Sequence, residues 1–506
     1  MPVSARTPVI IGVAQKTVSK SAQPGPEPLA AWKEVARGAA ADAGIPAEAL
    51  AGIKSMAVAD CMSWAYDDRV ARLAEALGAN PKCRYAGPPS GTSGQSLLNK
   101  CAADIRNGKA DMAFVCGGES LATVKHYNKM GQTPPWSFRD NNPDANKFDL
   151  DAHQHPGEVA LGLFEGIGAV YGFAMRDIAR RAHLGIAPDA YRRQLGDLLS
   201  SMTQVAANNP DAWFKESHDT DFLINPRPDN RMITYPYTKH MVAIIDVDIS
   251  AGILLVSEEK ADELGVPREK RIYPWTSCYA EDPVYIGVRS NLWKSDAMEA
   301  ASKATFEAAG VGVKDMSYID LYSCFAAAVN FGRDALGISD KPGNKVTVTG
   351  GLPYAGGPAS SYVLTSIVGM VRKLRADPQA KGLISGLGMM MSNHVYAVYS
   401  AQPPGENVKQ VDEAAVQAKV DAIPQKRIDD AYVGPTKVAA YTVMHDRSGA
   451  PSHGAAICDL PNGARAYVRI LDKDLLTEAE RVELVGQQMT IRKGRDVGEL
   501  VHVGRA

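Results

Sequence analysis

The first 120 residues alternate short apolar segments with stretches that have helical spacing. The run Val9–Ala14 is almost wholly apolar, which predicts a buried strand. Between Leu29 and Ala43 apolar residues recur at helical intervals, and Gly44 and Pro46 end that pattern. The same order continues with predicted strands at 56–59 and 111–116 and predicted helices at 69–77 and 95–107. Strands that alternate with helices favour parallel α/β layers.

The pattern changes at about residue 120 and returns near residue 250. The intervening part is rich in Pro, Asn, Asp and His, and its one long helical pattern covers Glu158–His183. We interpret it as an inserted domain of helices and loops. The segment Gly252–Gly265 then predicts a strand followed by a helix with an acidic start.

The second half repeats the first at a nearly constant offset. Val346–Gly351 predicts a strand that leads through a glycine-rich loop into a helix with apolar residues between Leu364 and Leu374. Gly382–Ser385 predicts the next strand, so the two halves indicate a duplicated α/β unit. After residue 405 the predicted strands 438–444 and 465–471 and an Asn-Gly turn within Pro461–Ala464 indicate a separate β-rich domain.

Composition and charge narrow the class of protein. The chain has 506 residues, 45% hydrophobic and 22% charged, and a net charge of −2, which gives no support to a nucleic-acid partner. Its seven cysteines form no CxxC pair, which indicates reduced thiols. No segment reaches 18 consecutive apolar residues. From these features we expect a cytoplasmic protein without a membrane span.

Several segments, in this order and spacing, resemble the thiolase superfamily over roughly residues 7–400. They are Ser93-Gly94, Ala113–Ser120, Ala206–Phe214, Leu254–Gly265, Asp320–Val329 and Val348–Pro358. Within that superfamily the chain is similar to sterol-carrier-protein-type thiolases with an additional C-terminal domain. The resemblance implies two βαβαβαββ halves in a five-layered α-β-α-β-α fold, with a loop domain inserted in the first half.

Four parts of the chain correspond to expected domains. The N-terminal thiolase half takes residues 1–120 plus 251–268, and the inserted loop domain takes residues 121–250. Residues 269–405 form the C-terminal half. Residues 406–506 form an additional β-barrel-like domain.

The resemblance also implies where thiolase catalytic groups would lie, on coenzyme A thioesters as substrates. The position of the nucleophilic cysteine falls on Gly91, followed by Thr92 and Ser93, and the histidine of a Gly-His-Pro loop falls on Gly357. The oxyanion pair before Cys324 falls on Tyr322 and Ser323. The second cysteine falls on Ser385, followed by Gly386.

These departures make thiolytic cleavage improbable and leave binding as the leading hypothesis. We expect Thr92 and Ser93 to cap the next helix rather than to act as nucleophiles. Glycine at positions 91 and 357 is expected to enlarge the pocket, which would accept an acyl or pantetheine tail. The predicted ligand is acyl-CoA or a related lipid thioester, with no further cofactor.

Two alternatives assign other roles to the same chain. Cys324 with His394 as its base could support an acyltransferase or thioesterase, although a small buried packing role for Cys324 is favoured. The third hypothesis is a lipid-transfer or interaction protein that acts through its C-terminal domain.

Two surface patterns suggest further sites that we consider weaker. The pair His153 and His155 has the spacing for zinc, but a solvated loop is the favoured interpretation, so no metal is expected. Arg465, Tyr467 and Arg469 alternate along one predicted strand and could contact a nucleotide, although an ordinary polar strand face is commoner.

The strand that precedes position 91 bears on oligomeric state. In thiolases the corresponding strand pairs with itself across the dimer axis, whereas here the predicted strand Cys83–Ser90 ends in Pro88 and Pro89. Proline supplies no N–H group to a strand ladder. We therefore expect a monomer, with a thiolase-like homodimer as the alternative.

Overall fold

Two α/β sheets form the main body of the computed structural model, which describes residues 4–19, 21, 24–143, 149, 151–164 and 169–503. Elements are numbered along the chain. The first sheet has the strand order β1-β7-β4-β2-β3. Its strands are β1 (Pro8–Thr17), β2 (Ser55–Val58), β3 (Cys83–Ala86), β4 (Met112–Ser120) and β7 (Asp248–Ser257).

The second sheet repeats this arrangement with one strand fewer, in the order β8-β11-β10-β9. Its strands are β8 (Tyr273–Glu281), β9 (Tyr318–Asp320), β10 (Lys381–Gly388) and β11 (Asn393–Ser400). The prediction of a strand over Val346–Gly351 is wrong. The Asp320 carboxylate there accepts the N–H groups of Val348 (2.8 Å) and Thr349 (3.3 Å), which a strand ladder would otherwise use.

Helices cover both sheets and fill the space between them. Both α3 (Ser93–Arg106) and α12 (Tyr362–Ala376) contact the two sheets, so they form the central layer. On the outer faces, α1 (Pro28–Ala43) packs on the first sheet and α10 (Asp296–Ala309) packs on the second. The order is therefore α-β-α-β-α, as expected. The remaining helices of this body are α2 (Arg69–Leu77), α9 (Glu258–Glu263) and α11 (Ala326–Ala335).

The inserted region is mainly helical. The long helix predicted over residues 158–183 is two helices, α5 (Pro156–Ala160) and α6 (Val170–His183), and residues 165–168 lie outside the described ranges. The other elements of the insertion are α4 (Leu121–Lys129), α7 (Pro188–Ala207), α8 (Thr220–Ile224), β5 (Met232–Thr234) and β6 (Tyr237–Thr238).

The C-terminal part is a five-stranded barrel-like sheet, closed because β12 (Gly434–His445) pairs with β13 (Pro451–Asp459). Strand β5 of the insertion also pairs with β12, at Thr234 and Met444, which the sequence did not predict. The further elements are α13 (Glu413–Asp421), β14 (Arg465–Ile470), α14 (Lys473–Ala479), β15 (Gln488–Arg492) and β16 (Gly498–Val501).

Strand β3 forms one edge of the first sheet. Strand β3 is only four residues long, lies at the sheet edge and ends before Pro88. Its exposed Arg84 forms an ion pair with Asp68.

In the described part of the chain, no helix is both long enough and apolar enough to cross a bilayer. The four domain boundaries stay predictions.

Candidate functional site

Gly91 lies in the turn between β3 and α3, and its surroundings are full. An ideal Cβ at this position would lie 2.0 Å from the carbonyl oxygen of Leu387 and 2.5 Å from the phenol oxygen of Tyr322. Contacts below 3.0 Å are essentially never seen for real Cβ atoms. The expectation of an enlarged pocket at residue 91 is therefore wrong, because Tyr322 occupies the volume that a cysteine side chain would need.

Tyr322 is held in this position by its backbone and by its ring. Its N–H donates to the Ser385 hydroxyl (3.0 Å), and its ring packs edge-on against Tyr362 with centroids 5.5 Å apart. Only 8% of the residue is exposed. Burial raises the pKa of Tyr322 well above its ordinary value, so the phenol is neutral at physiological pH.

The polar residues after Gly91 fix the loop rather than cap the helix. Thr92 occupies the N-cap position of α3, but its side chain makes no capping hydrogen bond. Its hydroxyl instead lies 2.8 Å from the hydroxyl of Ser90, and Ser93 donates to the Pro88 carbonyl (2.6 Å). The expectation that Thr92 and Ser93 cap α3 is wrong, because both hydroxyls bond within the preceding turn.

Gly386 belongs to the same close contact. A Cβ there would lie 3.0 Å from the carbonyl oxygen of Gly91 and 3.2 Å from the Cα of Thr92. The turn before α3 and strand β10 thus approach each other through backbone atoms. Five of the positions identified by the resemblance meet in this place: Gly91, Thr92, Tyr322, Ser385 and Gly386.

A second group of positions meets on the backbone segment 243–244. Ala243 donates its N–H to the carbonyl of Cys324 (3.0 Å), and Gly357 donates its N–H to the carbonyl of Ile244 (2.8 Å). A Cβ on Gly357 would lie 3.1 Å from that Ile244 oxygen and 3.2 Å from the side chain of Leu352. The space beside Gly357 is therefore tight, since a Cβ fits only if these neighbours shift by a few tenths of an ångström.

Ser323 and Cys324 differ in what they offer chemically. The Ser323 hydroxyl accepts the N–H of Leu352 (3.2 Å). This bond holds Ser323 against the turn that follows Gly350 and Gly351. Cys324 is half-buried, and burial raises the pKa of its thiol well above the ordinary value. Since the thiolate is the nucleophilic form, this environment disfavours a reactive Cys324.

His394 makes its side-chain contacts with Asp282 and Ser295. It is fully buried on β11, where its Nε2 lies 3.2 Å from Asp282 and 3.3 Å from the Ser295 hydroxyl. The next residue, Val395, faces Gly386, and successive strand side chains point to opposite sides of a sheet. Burial lowers the pKa of His394. Its Nε2 is thus occupied by Asp282 and Ser295, and its suggested role as the base for Cys324 stays a prediction.

The histidine pair at 153 and 155 and the basic strand face at 465–469 make structural contacts, which include contacts between the barrel and the body. His155 caps α5, where its Nδ1 accepts the Gly157 N–H (3.1 Å), and its ring stacks on Tyr467. His153 lies 3.0 Å from the Asp149 carbonyl. Among the described residues, no three His, Cys, Asp or Glu side chains are grouped so that they could hold a metal ion.

The basic strand face is closed to a nucleotide. Arg465 donates to the carbonyl of Arg289 (2.5 Å), and Arg469 donates to the carbonyl of Ala160. Tyr467 between them is fully buried and donates to Glu158 (2.6 Å). The face that looked like a ligand surface is the surface by which the barrel docks on the main body.

Comparison with known proteins agrees with this architecture. Residues 415–496 match the model of the thiolase-like protein type 1 additional C-terminal domain. The crystal structure of a monomeric SCP2-thiolase like protein type 1 from Mycobacterium smegmatis is 26% identical. It covers 99% of this chain and 100% of its own, with a TM-score of 0.83. The chain belongs to the thiolase superfamily.

Curated relatives within the superfamily match only parts of the chain. The benzoylsuccinyl-CoA thiolase subunit BbsB of Thauera aromatica is 23% identical over 34% of this chain and 46% of its own length. The acetyl-CoA acetyltransferase of Syntrophomonas wolfei subsp. wolfei is 31% identical over 27% of this chain and 32% of its own length. The chain thus spans less than half of the length of either curated relative.

Sequence reasoning missed the role of Tyr322 and of the Leu387 carbonyl. An aromatic residue at a position where the resemblance implies a polar side chain of the oxyanion pair was a visible signal of a filled site. The Leu387 carbonyl carried no signal, because a backbone atom brought in by folding leaves no trace in the residue type.

Proposed function

We propose that this thiolase-superfamily chain binds acyl-CoA or a related lipid thioester and does not cleave it thiolytically. The observation that carries the second half of this proposal is the position of Tyr322 and the Leu387 carbonyl around Gly91. A nucleophile introduced at this residue would collide with both groups. The chain is then a binding protein built on an enzyme fold.

The chemistry available at the site supports binding without covalent catalysis. Removal of a covalent nucleophile costs about 10⁶ in kcat in enzymes where it has been measured. The remaining thiol, Cys324, is protonated at neutral pH because burial raises its pKa. The histidine that could have activated it, His394, is bonded to Asp282.

The thioester part of the proposal rests on the superfamily and on the surroundings of Cys324. Both curated relatives carry the name of a coenzyme A thioester. In this chain, the segment beside Cys324 contains Ile245, which is 42% exposed. An acyl chain could enter along this apolar edge and stop at Tyr322.

We also propose a monomer. The short edge strand β3, its Arg84–Asp68 ion pair and the following prolines disfavour the strand pairing of dimeric thiolases. The similar protein from Mycobacterium smegmatis is described as monomeric. A cytoplasmic location stays a prediction, which cell fractionation can test.

Calorimetry combined with a turnover assay tests the proposal. Acetyl-CoA and palmitoyl-CoA are titrated into the full chain. Thiolysis is followed as loss of acetoacetyl-CoA and of free CoA when CoA is added, and hydrolysis is followed as release of free CoA when none is added. We expect heat of binding with at least one thioester, and neither reaction above the buffer rate. Lack of heat with both ligands would refute the binding proposal.

Cys324→Ala separates binding from the enzymatic alternative. If the chain only binds, the variant has the same negligible turnover as the wild type. If wild-type turnover is present and disappears in Cys324→Ala, the chain is an acyltransferase or thioesterase instead. Cys458→Ala, which removes a buried thiol in the barrel, serves as the matched control.

A further inference from the structure

A cavity of about 170 Å³ lies beside α3, apart from the positions identified by the thiolase resemblance. Its walls come from α3, from strand β8 and from the segment that leads into α13. At about 30 Å³ per water molecule, this volume holds roughly five or six waters. That is smaller than a site for a drug-sized ligand but sufficient for a small metabolite. The polar lining residues used below are Asn99, Arg106, Thr276 and Glu413.

Thr276 is a buried polar residue of the cavity wall whose hydroxyl is unpaired within the described chain. The residue is 5% exposed, and its hydroxyl oxygen has no hydrogen-bond partner among the described residues. Buried hydroxyl groups are normally paired, because an unpaired one loses its bonds to water without replacement. The oxygen has almost no accessible surface, so a ligand in the cavity meets it only when the Thr276 side chain turns toward the cavity.

A second polar residue of the cavity wall is Arg106. Arg106 lines the cavity, and its guanidinium takes part in no ion pair or hydrogen bond with the part of the chain that the structure describes. Burial lowers the pKa of Arg106, and no opposing carboxylate offsets that effect. An arginine kept half-buried without a partner is positioned to bind a carboxylate.

Glu413 places a negative charge at the same cavity. One of its carboxylate oxygens accepts the N–H of Tyr279 (2.9 Å), while the other has no partner among the described residues. Glu413 and Arg106 are not paired with each other, so their charged atoms are more than 4.0 Å apart. A plain anion would be repelled by Glu413, and a plain cation would be repelled by Arg106.

We propose that this cavity binds a small zwitterion of the size of an amino acid. Its carboxylate lies on Arg106, its ammonium group lies on the free oxygen of Glu413, and a polar atom of the ligand meets the Thr276 hydroxyl. Asn99 is a further hydrogen-bonding group of the wall. The site is distinct from the thioester site, so the two can be tested separately.

The probes are glycine, L-serine and β-alanine, titrated into the full chain by calorimetry and followed by thermal shift. Lactate keeps the carboxylate without the ammonium group, and ethanolamine keeps the ammonium group without the carboxylate. We expect at least one zwitterion to bind and to raise the melting temperature. Lactate and ethanolamine should bind at least about tenfold more weakly, because each loses one charge-assisted contact.

Single substitutions assign the contacts. Arg106→Gln and Glu413→Gln should each weaken the zwitterion about tenfold or more, and Thr276→Val should weaken it several-fold. Glutamine at 413 keeps an acceptor for the Tyr279 N–H, and Arg106 has no contact to lose, so both variants should fold. Arg37→Gln, the same change on an exposed helix face, is the control and should leave binding unchanged.

Three results would overturn the proposal. The first is that none of the three zwitterions binds at concentrations up to about 10 mM. The second is that lactate binds as tightly as the zwitterions, which would leave Glu413 without a role. The third is that Arg37→Gln weakens binding as much as Arg106→Gln does.

Discussion

Gly91→Ala adds one methyl group at the point where the turn before α3 meets strand β10. The new Cβ would lie 2.0 Å from the Leu387 carbonyl oxygen and 2.5 Å from the Tyr322 phenol oxygen. Leu387 belongs to a strand that is paired with β11, so its carbonyl cannot rotate away as a side chain could. The backbone or the Tyr322 ring must therefore move.

The expected effect is large for a single methyl group. Inserting methylene groups into a well-packed core costs about 1–3 kcal/mol, and a backbone obstacle places this variant at about 3 kcal/mol. With about 2–4 °C of melting temperature per kcal/mol, we expect a decrease of roughly 6–12 °C by scanning calorimetry. Gly405→Ala is the matched control, since a Cβ there meets nothing within 4 Å.

The calorimetric comparison of these two variants can also refute the conclusion that the volume around residue 91 is filled. A melting temperature of Gly91→Ala equal to that of Gly405→Ala would show that the volume around residue 91 is open. Combining Gly91→Ala with Tyr322→Ala should not relieve the clash with the Leu387 carbonyl. Gly91→Cys should be destabilised in the same way and should gain no thiolase activity.

Three further predictions concern pH dependence, domain docking and mass. Burial raises the pKa of Glu119 to about 7, so the native chain holds an extra proton between about pH 4.5 and 7. Stability should fall as pH rises through that window by up to about 3 kcal/mol, and Glu119→Gln should flatten this melting-temperature profile. Tyr467→Phe removes bonds to Glu158 (2.6 Å) and from the Gly287 N–H (2.6 Å), which should cost about 2 kcal/mol in urea unfolding. Tyr432→Phe, at a partly exposed phenol, should cost less; equal costs would contradict the docking role. Light scattering should give 54.1 kDa, and twice that mass would exclude a monomer.

Local signals predicted most elements of the two halves well. The predicted helix 69–77 coincides with α2, whose start is capped by Asp68 and whose end is Gly78 in the left-handed conformation. The failure at Val346–Gly351 has the opposite cause. There the apolar pattern is that of a strand, but the buried Asp320 carboxylate takes the backbone N–H groups. That carboxylate comes from a distant part of the chain.

The candidate site shows the same difference between what the sequence predicts and what distant contacts decide. The resemblance identified Gly91, Tyr322, Ser385 and Gly386 as neighbours, and the structure brings them together. It did not reveal that their neighbourhood is filled. Whether glycine leaves a space depends on which distant atoms approach, and here the Tyr322 ring and a β10 carbonyl do so.

The sequence by itself determined the alternating α/β halves and the C-terminal β domain, since both follow from residue type and spacing. The resemblance to thiolases added the layered fold and the glycine at the position of the nucleophile. Only the tertiary structure decided that Tyr322 fills the vacated volume, that His394 faces Asp282 and that Arg106 shares a cavity with Glu413. These facts depend on contacts between residues far apart in the chain. Contacts of that kind are set by how the layers pack, and no local pattern of residues records them.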